Sequence, residues 1–488
     1  MTLWPRVKGL IVSYALLIFT GAAQAQVKPV PTTPTTQPGS APAAQRLTLD
    51  QAITVALLNS KALQLSAEAV IKARGVENLG KAAYLPSLSS TFTYTHLSQG
   101  AFVTFPSSNG KSIRVPVTFQ DQKAIGVLAS LPVDIVGQIR AAVEQAQFLE
   151  IAARLDYNRT RNDTVLSVKN AYYNVLRAKA FVAVAQQTLQ NSQDREHQAE
   201  LTLKAGTGTR FEVLRAQTDV ANAKQGLISA QNQVNLTTAT LNNVLGLDQN
   251  TPLTTVETAE QPAPEPDFNA AVADAYRTRP EILESDAQIR AAYKGVVLAQ
   301  RSQLPSLGVT WNLNYTPDVG VFGLATSWAA VATLSVPIFD QGVARAKAQQ
   351  AKADVAIAKI NKQVEMDSVA LEVRQDYLAM TEAQDRLNVT TAALSEAQEQ
   401  YRLAQVRFKA GVTQTPGSSP LLEISDAQAA LTQAQDNQVS AQYDLQSARA
   451  QLDRAVGLYA YGGPTGPGIA APPASLSARA SKNTGGKS

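Results

Sequence analysis

Hydrophobic and polar residues follow two patterns along this chain, and each pattern occurs twice. Long stretches rich in Ala, Gln and Glu carry apolar residues every seven positions, and short stretches between them alternate apolar and polar residues one by one. Seven-residue spacing indicates coiled-coil helices, and strict alternation indicates half-buried strands. The sequence therefore predicts a mainly α-helical protein with a small number of β-strands.

The seven-residue pattern is clearest in the second half of the chain. Its apolar positions there are Met366, Val373, Met380, Leu387, Leu394, Tyr401 and Phe408. Subtracting 205 from the numbers of the last six gives Val168, Val175, Val182, Leu189, Glu196 and Leu203. The shared phase predicts two long helices, at about 138–204 and about 341–410, each roughly 100 Å long at the usual helical rise.

The alternating pattern predicts two β-hairpins, at about 87–131 and about 306–336. Several of their apolar positions are aromatic, and the candidates for lipid contact are Phe92, Tyr94, Phe119, Val309, Trp311, Leu313, Tyr315 and Trp328. An aromatic, apolar face opposite a small, polar face suits a sheet with lipid on one side and water on the other. An ordinary half-buried hairpin produces the same alternation. If these residues face lipid, the chain must oligomerise, since four strands cannot close a barrel and the smallest bacterial barrels have about eight.

Short motifs recur in the same order in the two halves. The tetrapeptide LPSL occurs at 85–88 and 304–307, KAG occurs at 204–206 and 409–411, and LGL at 245–247 matches VGL at 456–458. We infer two copies of one unit, at 47–247 and 268–458, joined by a proline-containing linker at 248–267. Each unit is predicted as helix, strand, strand, long helix and helix, with single first helices at about 48–84 and about 269–303.

Both ends of the chain differ in composition from this duplicated body. Residues 1–25 combine basic residues, an apolar run and the small residues Ala23 and Ala25, as in a cleaved secretion signal. A retained anchor is the alternative, although the run is shorter than the roughly 20 residues of a spanning helix. Residues 26–46 form a Pro/Thr-rich linker, and 459–488 form a Gly/Pro/Ser-rich tail that we expect to be disordered. No cysteine follows the signal, so we expect no lipid anchor.

Composition excludes several classes of protein. The chain has no cysteine and two histidines, which excludes disulfide scaffolds and thiolate chemistry. The net charge of +4 suggests nucleic-acid binding, but seven of the 43 basic residues lie in 1–46 and 459–488, where there are no acidic residues. The body therefore has 36 basic against 39 acidic residues, which argues against that interpretation. Without a catalytic motif, we expect neither enzyme activity nor a cofactor or metal.

The chain resembles the outer membrane efflux protein family, the TolC-like channels. The resemblance rests on the signal, the duplicated unit, LPSL before each first strand, and AG before a helix containing V-L-x-A-Q. The resemblance implies a homotrimer with a twelve-stranded barrel in the outer membrane and a helical tunnel in the periplasm. It also implies passive conduction of substrates from a periplasmic adaptor and an inner-membrane pump, in an efflux or type I secretion system. A periplasmic coiled-coil spacer or adhesin stalk is the alternative; the substrate and the energy source of the pump stay open.

The same resemblance suggests site residues near the turns between the long helices. The residues expected to contact the adaptor are Gly206, Thr207, Arg210, Gly411 and Thr413. These positions could equally form a simple helix turn. Glu423 and Asp426 match paired acidic residues at the periplasmic constriction of some family members, although acids are also favoured in any first helical turn. The gate bridges of the family are not matched by Phe408 and Thr413, so no gate residues are assigned.

Overall fold

The computed structural model describes residues 45–106, 111–256, 267–319, 323–410, 412 and 420–461. The predicted signal, most of the Pro/Thr-rich linker and almost all of the tail lie outside these ranges.

In its described residues, the first unit contains four helices and six strands in chain order. Its elements are β1 (Gln45–Leu47), α1 (Leu49–Asn59), α2 (Lys61–Ala82), β2 (Ser87–His96), β3 (Phe102–Pro106), β4 (Ser112–Pro116), β5 (Asp121–Val133), α3 (Gln138–Lys204), α4 (Arg210–Leu245) and β6 (Leu253–Thr255). The second unit repeats the main elements without the short strands. It comprises α5 (Phe268–Thr278), α6 (Pro280–Arg301), β7 (Ser306–Tyr315), β8 (Thr326–Ser335), α7 (Val343–Ala410), α8 (Pro420–Val456) and a 3₁₀ turn (Leu458–Tyr461).

The prediction of a single first helix in each unit is wrong, because that helix is broken in both. Ser60 has the non-helical ψ of 123° and its hydroxyl accepts a hydrogen bond from the Leu63 N–H, so it ends α1 and caps α2. In the second unit Arg279 is extended and Pro280 opens α6, where a missing N–H costs nothing. The first helix of each unit is therefore an 11-residue helix followed by a 22-residue helix.

The strands also exceed the four that the sequence predicts. The predicted four form one antiparallel sheet in the order β2-β5-β7-β8. The described residues contain two further strand pairs, β1 with β6 and β3 with β4. The pair β3 and β4 accounts for extra residues that the first unit has between its two main strands. The strands of the two units meet at the centre of the sheet, where β5 of the first unit pairs with β7 of the second.

The long helices form the framework on which the other elements pack. Helix α3 packs against α2, α4, α6 and α8, and α7 packs against α6 and α8. The core residues of the two long helices correspond at an offset of 205, since Val168 and Val175 are buried in α3 and Val373 and Met380 are buried in α7. Each such side chain stabilises the fold by roughly 1.5–3 kcal/mol.

The packing seam changes phase towards the ends of the long helices. The predicted seam residue Leu203 is exposed and Glu196 is half-buried, whereas Ser192 and Ala199 are buried. Ala397 and Ala404, their counterparts in α7, are buried as well. A straight helix with 3.6 residues per turn drifts relative to a seven-residue repeat, and small residues then permit close approach. The end of the predicted seam in α3 is corrected accordingly. In α7 the predicted residues Leu394, Tyr401 and Phe408 are half-buried and pack beside Ala397 and Ala404.

Candidate functional site

The main sheet has one aromatic, apolar face. Residues directly opposite each other in an antiparallel ladder lie on the same face. The register pairs Phe92 with Ile125 and Ile125 with Tyr315, and it aligns Val127, Leu313 and Trp328 across three strands. Seven predicted residues consequently share this face: Phe92, Tyr94, Val309, Trp311, Leu313, Tyr315 and Trp328.

The eighth predicted residue, Phe119, is not part of this face. It lies between β4 and β5, in a segment outside both strands, next to the isolated bridge of Thr118 with Val319. The prediction that the return strand includes Phe119 is therefore wrong, because that strand begins at Asp121. The intervening hairpin β3–β4 displaces Phe119 from the sheet.

The opposite face of the sheet is small and polar. It contains Thr91, Thr93 and Thr95 of β2, and Asn312 and Asn314 of β7. The two outer strands, β2 and β8, each bond to one neighbour within the described chain. Such edges present unpaired backbone N–H and C=O groups, which makes them able to pair with another strand. The sheet thus combines two chemically different faces with two open edges.

The turn between α3 and α4 is built by glycine and a capping box. Gly206 adopts a positive φ of 75°, and the N–H groups of Thr207 and Gly208 both donate to the Thr202 carbonyl at 3.0 Å. The Thr209 hydroxyl then accepts from the Glu212 N–H, and the Glu212 carboxylate accepts from the Thr209 N–H. The candidate residues Gly206, Thr207 and Arg210 are exposed on this turn. The other candidates, Gly411 and Thr413, lie outside the described residues.

The two candidate acids lie near the start of α8, close to a groove lined by both apolar and charged residues. Glu423 is half-buried and Asp426 is exposed. Asp426 lines a groove of about 860 Å³ between α3, α4 and α8, together with Arg195, Asp219 and Asp436. Burial raises the pKa of the Asp436 carboxyl. The structure therefore brings Asp426 together with charged residues of both units.

Helices α3 and α8 are joined along this groove by a ladder of polar side chains. The hydroxyls of Thr188 and Thr432 lie 3.1 Å apart, and the side-chain amide of Asn191 donates to the side-chain oxygen Oε1 of Gln428 at 2.9 Å. One turn further, Arg195 is buried and donates through Nη2 to Ser192 Oγ at 3.0 Å. Sequence analysis did not identify Arg195. A basic residue among small residues at the buried positions of a helix is nevertheless a pattern that a sequence can reveal.

A partly buried ion-pair network links the two units near the middle of the long helices. Arg279 donates to Glu281 at 2.9 Å and to Glu372 of α7 at 2.5 Å. Arg454 of α8 contacts Glu372 and also pairs with Asp163 of α3 at 2.8 Å. Burial raises the pKa of the Glu281 carboxyl, but the hydrogen bond and charge of Arg279, a backbone hydrogen bond and the charge of Arg454 together outweigh it, so the net shift is downwards. These contacts join α3, α6, α7 and α8 to Arg279, the residue between α5 and α6.

Comparison with known proteins identifies the family. The sequence profile of the outer membrane efflux proteins matches residues 52–247 and 271–458, which together span most of the chain. The protein belongs to the outer membrane efflux protein family. The two matched segments of this family correspond to the two structural units, and the unmatched stretch between them contains the linker.

Several named proteins are similar to this chain in sequence or in structure. The antibiotic efflux pump outer membrane protein ArpC of Pseudomonas putida is 25% identical over 423 residues, covering 84% of this chain and 82% of ArpC. Nodulation protein T of Rhizobium leguminosarum is 23% identical over 429 residues, covering 87% and 84%. The CmeC outer membrane channel of Campylobacter jejuni superposes with a TM-score of 0.68 at 16% identity, covering 84% of this chain and 85% of CmeC. The fold is that of these TolC-like channels.

Two further observations concern the helices and the possible ligands. None of the helices in the described ranges has the length and hydrophobicity needed to cross a bilayer. Within the same ranges, no group of His, Cys, Asp or Glu side chains is arranged to hold a metal ion.

Proposed function

We propose that this protein is the outer membrane channel of a tripartite efflux or type I secretion system. Substrates would pass through it passively, from a periplasmic adaptor and an inner-membrane pump to the exterior. The observation that carries the proposal is the four-stranded sheet, whose aromatic face, polar face and two open edges suit one segment of a larger membrane barrel. Membership of the outer membrane efflux protein family supports the same role.

The proposed assembly is a homotrimer. Three copies of the four-stranded sheet supply twelve strands, with β8 of one chain pairing with β2 of the next. This pairing would satisfy the open backbone groups at both edges, and the aromatic face would then contact outer membrane lipid. The helices of the three chains would form the periplasmic tunnel. The lipid-facing residues proposed are those of the aromatic face; Phe119 is omitted because it lies outside the strands.

The periplasmic ends of the helices are proposed to contact the adaptor and to narrow the channel. Gly206, Thr207 and Arg210 lie on an exposed turn that such a partner can reach. Gly411 and Thr413 are assigned to the second turn by the sequence alone. Glu423 and Asp426 would contribute six carboxylates in a trimer and attract cations at the constriction. Conduction of this kind involves no covalent step.

The proposal is tested by isolating outer membranes from cells that express the full chain. We expect a heat-resistant oligomer in detergent and stepwise ion conductance after reconstitution into planar bilayers. A structural spacer would be recovered from the periplasm or would give no conductance. Either result would exclude the channel function.

A second experiment addresses the adaptor. Replacement of residues 205–209 by a neutral linker should abolish cross-linking to the adaptor but leave the oligomer in the outer membrane. A matched change in the β3–β4 connection should leave cross-linking intact. Normal cross-linking of the variant with the altered helix turn would refute the assignment of the tips.

A further inference from the structure

The hairpin β3–β4 exposes an apolar face that no other helix or strand of the described residues covers. Its strands pair with each other, and neither makes extensive contact with another helix or strand of the described residues. Val103 lies opposite Val115 and Phe105 lies opposite Ile113, so these four side chains share one face. Phe105 is 44% exposed and Ile113 is 57% exposed. An isolated two-stranded hairpin is marginally stable in water, so this face requires a covering surface.

The hairpin is firmly connected to the end of the main sheet. The Leu97 N–H donates to the Gln120 carbonyl at 2.7 Å, which continues the ladder of β2 and β5. The Ala101 N–H donates to the Thr118 hydroxyl at 2.9 Å, and the Val117 N–H donates back to the Ala101 carbonyl at 2.8 Å. Hydrogen bonds therefore join the two chain segments that connect the hairpin to β2 and β5.

The end of the sheet that carries the hairpin is rich in tyrosine. Tyr94 lies two residues before the end of β2, and Tyr315 is the last residue of β7. Both lie on the aromatic face. Tyrosines are enriched where a bilayer meets water, because their rings are apolar and their hydroxyls are polar. If the aromatic face contacts lipid, the hairpin leaves the sheet at the level of the lipid headgroups.

The charge of the hairpin is suited to phosphate groups. Residues 97–120 include Lys111 and Arg114 and contain no acidic residue. The Arg114 guanidinium lies over the Phe102 ring, 5.5 Å from its centroid, on the face opposite Phe105. Basic residues beside aromatic and aliphatic side chains are the combination with which proteins bind the surface of anionic bilayers.

We propose that the β3–β4 hairpin docks on the surrounding bilayer. Val103, Phe105, Ile113 and Val115 enter the headgroup and upper acyl region, and Lys111 and Arg114 bind phosphate-bearing lipid headgroups. This inference rests on the proposed function, since it requires the main sheet to lie in the membrane. It adds a lipid-binding surface outside the strands that would form the barrel.

The test uses tryptophan fluorescence in vesicles that contain lipids brominated on the acyl chains, which quench nearby indoles. The chain has three tryptophans, Trp4 in the predicted signal and Trp311 and Trp328 in the sheet. The unmodified protein reports on the sheet. The triple variant Trp311→Phe, Trp328→Phe, Phe105→Trp reports on the hairpin, with Ile113→Trp as a second reporter on the same face. Thr104→Trp, on the opposite face, is the control.

Docking predicts that Phe105→Trp and Ile113→Trp are quenched, and that Thr104→Trp loses clearly less emission. If the sheet tryptophans are quenched but both hairpin reporters are not, the hairpin proposal fails and the membrane location of the sheet stands. If the sheet tryptophans are not quenched either, the proposed function itself fails. Equal quenching on both faces of the hairpin would also overturn the inference.

The charge contribution is tested in the same reporter background. Vesicles of phosphatidylcholine alone are compared with an equimolar mixture of phosphatidylcholine and phosphatidylglycerol. Quenching of Phe105→Trp should increase in the anionic mixture, and Lys111→Gln with Arg114→Gln should remove that increase. Lys204→Gln with Lys224→Gln, an equal charge change on the helices, should retain it. An increase that persists without Lys111 and Arg114 would contradict headgroup binding by these residues.

Discussion

Asp376 of α7 is partly buried beside Glu372 and close to Arg279 and Arg454. Burial and the neighbouring Glu372 carboxylate raise its pKa from 3.8 to about 6, against the opposing effect of the two arginines. Between these values the folded protein binds a proton that the unfolded chain does not bind. The stabilising contribution of the neutral carboxyl is therefore complete below about pH 4 and is lost as the pH rises through about 6.

Asp376→Asn should consequently stabilise the protein at high pH. We expect the free energy of unfolding to rise by about 1–3 kcal/mol at pH 8 and to change little at pH 4. Denaturant unfolding followed by circular dichroism at the two pH values measures the difference. An equal effect at both pH values would show that the charge of Asp376 is not the cause.

The buried arginine of the same network provides a second prediction. The side chain of Arg279 is 3% exposed, and its loss would leave the buried Glu281 carboxylate without its closest cation. We expect Arg279→Met to destabilise the protein by about 3–5 kcal/mol. The control is Arg277→Gln, because Arg277 forms an exposed pair with Asp274 that should contribute less than about 1 kcal/mol. Similar unfolding midpoints for the two variants would contradict a stabilising role for the network.

At the scale of elements, each unit contains an equivalent junction between two helix ends. Gly246 ends α4 with a φ of 70°, and a Cβ there would lie 2.7 Å from the Asn59 carbonyl oxygen at the end of α1. Gly457 ends α8 with a φ of 84°, and a Cβ there would lie 2.5 Å from the Thr278 hydroxyl at the end of α5. The LGL and VGL motifs are therefore positions where one helix end contacts a neighbouring helix end.

Gly246→Ala should destabilise the first unit, because the added methyl group meets backbone and the left-handed conformation disfavours alanine. We expect a loss of about 1–3 kcal/mol. Gly226→Ala is the matched control, since Gly226 is inside α4 with open space around it and alanine favours a helix by about 0.5–1 kcal/mol. Thermal unfolding distinguishes the two variants, and equal melting temperatures would argue against the junction.

The breaks in the first helices show which features of the fold local sequence signals can predict. Pro280 marks the break in the second unit, because proline favours the first position of a helix. Ser60 marks the break in the first unit only through its capping bond to Leu63, and serine also occurs within helices. The hairpin β3–β4 was missed for a related reason, since its strands of five residues are close to the minimum for recognition.

At the scale of the whole molecule, a trimer would converge the acids of α8 on one axis. Glu423→Gln with Asp426→Asn should weaken block of the channel by trivalent cations at least about tenfold, because two fewer charges per chain remove on the order of 1–2 kcal/mol of attraction. Single-channel recordings with increasing concentrations of a trivalent cation measure this change. The control, Asp50→Asn with Glu68→Gln, removes equal charge at exposed positions outside the groove. Unchanged block in the Glu423 and Asp426 variant would exclude the constriction.

The sequence by itself determined the features that depend on local periodicity and on duplication. Seven-residue spacing predicts the long helices, two-residue alternation predicts the four main strands, and the repeated motifs predict two units. Alternation alone places Trp311 and Leu313 on one face of their strand and Asn312 on the other, because successive side chains of a strand point in opposite directions.

Only the tertiary structure decided which distant residues meet. It joined Arg279, Glu372 and Arg454, which come from three parts of the chain, and it placed Arg195 beside α8. It also moved the seam from Leu203 to Ala199 and left Phe119 outside the sheet. These outcomes depend on the relative position of packed helices and on strand register. Contacts between elements fix both, and neither is encoded in the period of any single segment.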